Sequence, residues 1–167
     1  MSSTSAKPLV AILMGSDTDL PVMQQAADQL AKFGIPHSID IISAHRSPAR
    51  TAEFARTAAA RGLKVLIAGA GAAAALAGAL AAETTLPVIG VPLATTPLAG
   101  FDALLSTAML PAGVPVATMA VGGATNAAVL AAQMLALSDA GLAQKLVEFK
   151  QELVRKVEEK SRKLQGK

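Results

Sequence analysis

What most constrains this chain is a repeated two-part pattern: a short apolar run, then a longer stretch that is apolar at helical spacing. Runs at residues 9–14, 39–42, 65–68, 88–91 and 114–121 read as five strands. The first is apolar at every position, as a strand covered on both faces should be. After it, Asp19 reads as a helix N-cap with Pro21 in the first turn. Val22, Met23, Ala26, Ala27, Leu30 and Phe33 follow at helical spacing, and Gly34 ends the helix. Pro48 opens a second helix that runs through Phe54 to Arg61 and stops at Gly62. Further helices are expected over residues 73–82, 101–109 and 125–137. Strands that alternate with helices pair in parallel through crossovers, so the fold class is α/β, a three-layer sandwich around a five-stranded parallel sheet.

A final helix, over residues 143–164, carries Leu146, Phe149, Leu153 and Val157 on one stripe. The stripe follows a complete domain and needs an apolar partner, which can be its own subunit or a neighbour. The neighbour is favoured, because the 37 alanines leave a surface with few bulky side chains on which helices approach closely. The chain divides into a disordered start at residues 1–7, an α/β domain at 8–138 and a C-terminal helix at 139–167 that packs on a neighbouring subunit.

Composition removes several function classes. The chain has no cysteine, which excludes thiolate nucleophiles, zinc–thiolate sites, iron–sulfur clusters and disulfides. No metal site and no cofactor are expected. Four Phe, no Tyr and no Trp leave no stacking platform for single-stranded nucleic acid. The net charge of +3 does not restore a nucleic-acid reading: residues 145–167 hold eight basic and four acidic groups at helical spacing, and residues 1–144 hold seven basic and eight acidic. That is a solvated helix face. Residues 103–138 carry no charge and are longer than a bilayer span, yet Pro111, Gly113, Pro115, Gly122 and Gly123 interrupt them, so they read as buried sheet and helix rather than membrane. The first seven residues lack the apolar stretch of a secretory signal, and the expected compartment is cytoplasmic.

In a parallel α/β sheet, ligands sit beyond the carboxyl ends of the strands. The loop after the first strand, Gly15-Ser16-Asp17-Thr18-Asp19, runs into a helix and brings backbone N–H groups and two hydroxyls to its start, an anion site in outline. It is neither a Walker A sequence nor a Gly-x-Gly-x-x-Gly fingerprint, which argues against ATP and NAD. The loop after the second strand, Ser43-Ala44-His45-Arg46-Ser47-Pro48, places one titratable imidazole beside a cation suited to phosphate. His37 begins that strand at the opposite edge and reads as structural. The loop after the third strand, Ala68-Gly69-Ala70-Gly71 and the alanines that follow, is small enough for backbone to approach a ligand.

Six segments together resemble the N5-carboxyaminoimidazole ribonucleotide mutase family of purine biosynthesis, often called PurE. They are Met14-Gly15-Ser16-Asp17-Thr18-Asp19, Ser43-Ala44-His45-Arg46-Ser47-Pro48, Ile67-Ala68-Gly69-Ala70-Gly71, Pro87-Val88-Ile89-Gly90-Val91-Pro92, Gly113-Val114-Pro115-Val116 and Asn126-Ala127-Ala128. The resemblance implies a flavodoxin-like subunit in a homo-octamer, with the C-terminal helix reaching over a neighbour. It also implies a phosphorylated aminoimidazole ribonucleotide as substrate, whose carboxylate moves from N5 to C4 without metal, ATP or organic cofactor, by decarboxylation, capture of CO2 and recarboxylation. On this resemblance His45 shuttles the proton. Ser16, Thr18, Ser43 and Arg46 hold the phosphate and nearby groups, Asp19 meets the ribose, and Ala70 and Gly71 line the substrate. The residues fit such chemistry, since a cofactor-free proton transfer needs one group titrating near neutrality and a site that holds CO2 away from water.

The chain departs from the family pattern around the substrate. Where the family reads Gly-Gly-Ala-Ala-His-Leu-Pro-Gly, this sequence has Gly71-Ala72-Ala73-Ala74-Ala75-Leu76-Ala77-Gly78. A second histidine and a proline are thus alanine. The family's Gln-Met-Pro is Met109-Leu110-Pro111, and its Ser before Gly-x-Asp is Ala99. Slowed turnover is the expectation. Two other assignments stay open on these residues: an aminoimidazole ribonucleotide carboxylase that takes free CO2, and an oligomeric scaffold that has lost catalysis.

Overall fold

Alternation along the first strand shows why it is apolar throughout. In the computed structural model, which describes residues 7–166, Val10, Ile12 and Met14 of β1 (Val10–Met14) belong to one core, while Ala11 and Leu13 belong to another on the opposite face. The other strands are β2 (His37–Ile41), β3 (Val65–Ala70), β4 (Val88–Pro92) and β5 (Ala117–Thr118). All are parallel, in the order β2-β1-β3-β4-β5. This is the flavodoxin-like order, and its strand sequence reverses between β1 and β3, where a crevice opens at the carboxyl ends.

One face is covered by α1 (Leu20–Phe33) and α5 (Ala124–Ala136), which lay Met23, Ala26, Leu30, Ala127 and Ala131 on the sheet. Against the other lie α2 (Pro48–Ala58) and α3 (Leu76–Ala81), with Ala55, Ala58, Leu76 and Leu80 buried. Truncating a fully buried side chain such as Leu30 to alanine would cost about 2–5 kcal/mol. The helix α4 (Phe101–Ala108) packs on β4 across Gly90, where a Cβ would collide with Thr107 Cγ2 of α4 and come within 2.9 Å of Val116 Cγ1. Among the described residues no helix is long and apolar enough to cross a membrane.

Beyond shifts of one to three residues at element ends, those of the second strand, the second helix and the last helix among them, three elements depart from the sequence reading. The fifth strand is two residues long rather than eight: β5 is the sheet's edge, Pro115 has no N–H to give a ladder, and pairing resumes only at Ala117, with Met119 N–H donating to Gly90 O at 2.9 Å. The third helix starts at Leu76 rather than residue 73, because Ala72 has φ +44° and the following residues turn instead of coiling. The α1 N-cap position is Asp19, as read, but its carboxylate does not cap α1; it turns back to Ser16 N–H.

The last helix, α6 (Ala140–Leu164), is about 37 Å long at 1.5 Å per residue. Asp139 caps it by accepting from Leu142 N–H at 2.9 Å. Its first half folds onto the α/β domain of the same chain: Leu142 is buried, Phe149 meets Phe33 edge-to-face at 5.3 Å between ring centres, and Lys145 Nζ donates to Phe33 O at 2.8 Å at the end of α1. The second half leaves Leu153, Val154 and Val157 exposed. Of the expected disordered start at 1–7, residues 1–6 lie outside the described residues.

Candidate active site

The loop after β1 is a single 3-10 turn, Asp17–Asp19, closed by its own side chains. Ser16 Oγ accepts from Thr18 N–H at 3.4 Å and from Thr18 Oγ1–H at 3.0 Å, while Asp19 Oδ2 accepts from Ser16 N–H at 3.1 Å. Asp19 is only 6% exposed. Burial pushes its carboxyl above the ordinary range, the Ser16 and Gly15 amides oppose that shift, Asp17 adds to it and Arg46 offsets part of it.

The loop after β2 is folded around Ser43. Ser43 O accepts from both Ser47 N–H at 2.8 Å and Ser47 Oγ–H at 2.9 Å, so the α2 N-cap residue spends its hydroxyl on the loop rather than on the helix. Ser43 Oγ accepts from Arg46 N–H at 3.2 Å and from Arg46 Nε–H at 3.3 Å. Arg46 Nη2 also donates to Gly15 O at 2.5 Å, a bond across 31 residues that ties the first loop to the second. Of its five N–H donors, the two on Nη1 and one on Nη2 stay available to an anion. His45 is exposed beside it and makes no side-chain hydrogen bond to any described residue.

These two loops and the turn after β3 line one open cavity of about 380 Å³. All eight residues singled out in the sequence line it: Ser16, Thr18, Asp19, Ser43, His45, Arg46, Ala70 and Gly71. His37 is not among them; it lies at the amino end of β2 with Nδ1 2.9 Å from Ile35 O. Two larger cavities, about 630 and 640 Å³, lie near the start of α6 and along the α1–α6 cleft, and neither has a histidine in its wall. Size alone therefore does not select the site; the convergence of hydroxyls, guanidinium and imidazole at the strand ends does.

Sequence reasoning missed Thr95, in the loop after β4, which also lines this cavity. Its signal was available, since β4 lies next to β3 and its carboxyl end belongs to the same edge. The stretch after β3 that lines the cavity is small, Gly71, Ala72, Ala73 and Ala75, followed by Leu76. Ala75 therefore presents a methyl where an imidazole is expected from the family pattern.

The sequence model of one family, AIR carboxylase, matches residues 9–156. N5-carboxyaminoimidazole ribonucleotide mutase of Pyrococcus horikoshii is 51% identical over 165 residues, covering 99% of this chain and 93% of the relative. The Thermotoga maritima mutase is 51% identical over 158 residues, covering 95% and 92%. Among solved structures, Treponema denticola PurE superposes with a TM-score of 0.84 at 31% identity, covering 94% of this chain and 98% of that one. A PurE2 variant of the same organism gives 0.86 at 30% identity, covering 95% and 98%.

Proposed function

As this chain belongs to the AIR carboxylase family, we propose that it is an N5-carboxyaminoimidazole ribonucleotide mutase, moving a carboxylate from N5 of the ribonucleotide to C4 of its imidazole. The observation that carries the reading is the gathering of one imidazole, one guanidinium and several hydroxyls around a single cavity at the sheet's switch point. Arg46 binds the phosphate with its remaining N–H donors, while Ser16, Thr18 and Ser43 supply hydroxyls around it. Asp19, buried and aimed along the first loop, receives the ribose.

Once CO2 has left N5 and added at C4, the ring carbon carries a proton that must leave to restore aromaticity. His45 takes that proton and returns it to N5, because an imidazole changes charge near neutral pH and no other histidine reaches the cavity. The atoms balance without metal or nucleotide: one C–N bond breaks, one C–C bond forms, and one proton moves from C4 to N5. The apolar wall of residues 71–76 limits water around the released CO2. Ala75 offers no hydrogen bond there, so turnover is slower than a second imidazole would allow.

The same reading makes the protein a homo-octamer. Val157, 68% exposed, and its neighbours Leu153 and Val154 form an apolar stripe on the outer half of α6, a surface that association would bury. Light scattering should find no stable monomer at micromolar concentration. The compartment is the cytoplasm, where a phosphorylated ribonucleotide is retained by its charge. The test of function is incubation of purified protein with the N5-carboxylated ribonucleotide, followed by detection of the C4-carboxylated product. Aminoimidazole ribonucleotide with bicarbonate, as the parallel arm, separates the mutase from a carboxylase that takes free CO2.

A further inference from the structure

The turn after β3 has no means of holding its own shape. Residues 72–75 are four alanines, whose side chains offer no hydrogen bond, and Ala72 occupies a left-handed conformation, φ +44°, that its methyl disfavours. Within residues 71–75 the backbone contributes one short turn bond, from Ala75 N–H to Ala73 O at 2.6 Å. The one side-chain hydrogen bond to this stretch among the described residues comes from outside it: Ala72 N–H donates to Thr95 Oγ1 at 3.1 Å.

Thr95 is exposed, but its backbone is placed by hydrogen bonds. Pairing of β3 with β4 runs on past the strands, with Leu93 N–H donating to Ala70 O at 2.9 Å, and Thr95 N–H then donates to Leu93 O at 3.1 Å. Its side chain lies directly over Gly71, where any Cβ would fall 2.6 Å from Thr95 Cγ2 and 2.7 Å from its Cβ. Gly71 is therefore required for Thr95 to sit where it does. The threonine spans two adjacent strand ends, touching the turn after β3 from the loop after β4.

We propose that Thr95 is a positioning residue: its hydroxyl fixes the strained Ala72 backbone and thereby sets the wall of Gly71, Ala72, Ala73 and Ala75, which lines the same cavity as His45 and Arg46. The proposal rests on the mutase reading for its kinetic consequence, but the tether itself does not. A wall displaced by a fraction of an ångström changes where the reacting ring lies relative to His45 while leaving the phosphate on Arg46. Loss of the tether should thus lower kcat and spare KM.

The test compares Thr95→Val, which keeps shape but removes the acceptor, with Thr95→Ser, which keeps the hydroxyl. Amide exchange at Ala72 reads the tether whatever the activity is: Thr95→Val should speed it about 5-fold or more, and Thr95→Ser should leave it within 2-fold of wild type. With the N5-carboxylated ribonucleotide, Thr95→Val should lower kcat about 10-fold with KM within 2-fold, and Thr95→Ser should retain wild-type kcat within 2-fold. Adding Ala72→Gly to Thr95→Val removes the strain the hydroxyl restrains and should recover part of kcat. Unchanged Ala72 exchange in Thr95→Val overturns the proposal, as does a Thr95→Ser enzyme as slow as Thr95→Val. Wild-type protein that shows no turnover, with exchange behaving as expected, contradicts the mutase reading and leaves the tether standing.

Discussion

Replacing Ala72 by glycine should stabilise the protein, whereas the same replacement one residue later should destabilise it. Ala72 has φ +44°, a conformation in which an L-residue's Cβ crowds the following carbonyl oxygen at a cost of about 1–2 kcal/mol. Glycine removes that cost but loses more freedom when the chain folds, about 0.4–1 kcal/mol. The methyl of Ala72 is exposed, so no buried contact is sacrificed. The difference is a gain of about 0–1.6 kcal/mol for Ala72→Gly, centred near about 0.8, from the same two effects. Ala73 is also exposed but keeps a negative φ, so Ala73→Gly carries only the entropic loss of about 0.4–1 kcal/mol. In a chain of this length 1 kcal/mol moves Tm by about 2–4 °C; the entropic loss is common to both variants, so the strain of about 1–2 kcal/mol separates them by roughly 2–8 °C. Differential scanning calorimetry at matched protein concentration reads this, since self-association shifts Tm with concentration. An Ala72→Gly variant that melts at or below Ala73→Gly would refute the strain argument.

Three further outcomes follow from the site. Arg46→Ala should weaken ribonucleotide binding by about 1.5–3 kcal/mol, roughly 10- to 150-fold, because it removes both the anion's cation and the bond to Gly15 O; His37→Ala should leave calorimetric affinity unchanged, and equal losses would place the site at the wrong edge. His45→Asn should keep affinity and lower kcat about 100-fold or more, the usual worth of a positioned acid–base group, so a variant with normal kcat would remove His45 from the proton transfer. For Asp19, whose folded pKa is raised by burial, the folded state holds its proton above the pH at which the unfolded chain releases it. Its contribution to unfolding free energy therefore falls as pH rises from about 3.9 through the folded pKa. Urea unfolding should show wild type losing stability relative to Asp19→Asn as pH climbs through that window, and the opposite slope would mean that the carboxylate is stabilised by its amides more than it is penalised by burial.

The strands β1, β3 and β4 were legible because burial on both faces forbids polar residues, leaving unbroken apolar runs that no surface segment shows. The three site loops followed from them, since the fold itself puts function at strand ends. Other features had no local signal. An alanine run reads as helix, so the left-handed Ala72 and the late start of α3 were invisible without the Thr95 contact, which spans 23 residues. Edge position cut β5 short, and a pattern of Val and Ala cannot report which strand ends a sheet. In α6 the apolar stripe is real, but periodicity does not say whose surface covers it; Phe149 found Phe33 of the same chain, while Val157 remains exposed.

The central claim, that this cavity moves a carboxylate from N5 to C4, is tested most directly by following a 13C label in the N5 carboxylate by NMR, with wild type and the combined variant Ala72→Gly, Ala75→His, Ala77→Pro side by side. Ala77 can take proline because it lies in the first turn of α3. The label should reach C4 without ATP or metal, slowly in wild type and faster in the variant that regains a second imidazole. A folded, ribonucleotide-binding pair in which neither protein moves the label would contradict it.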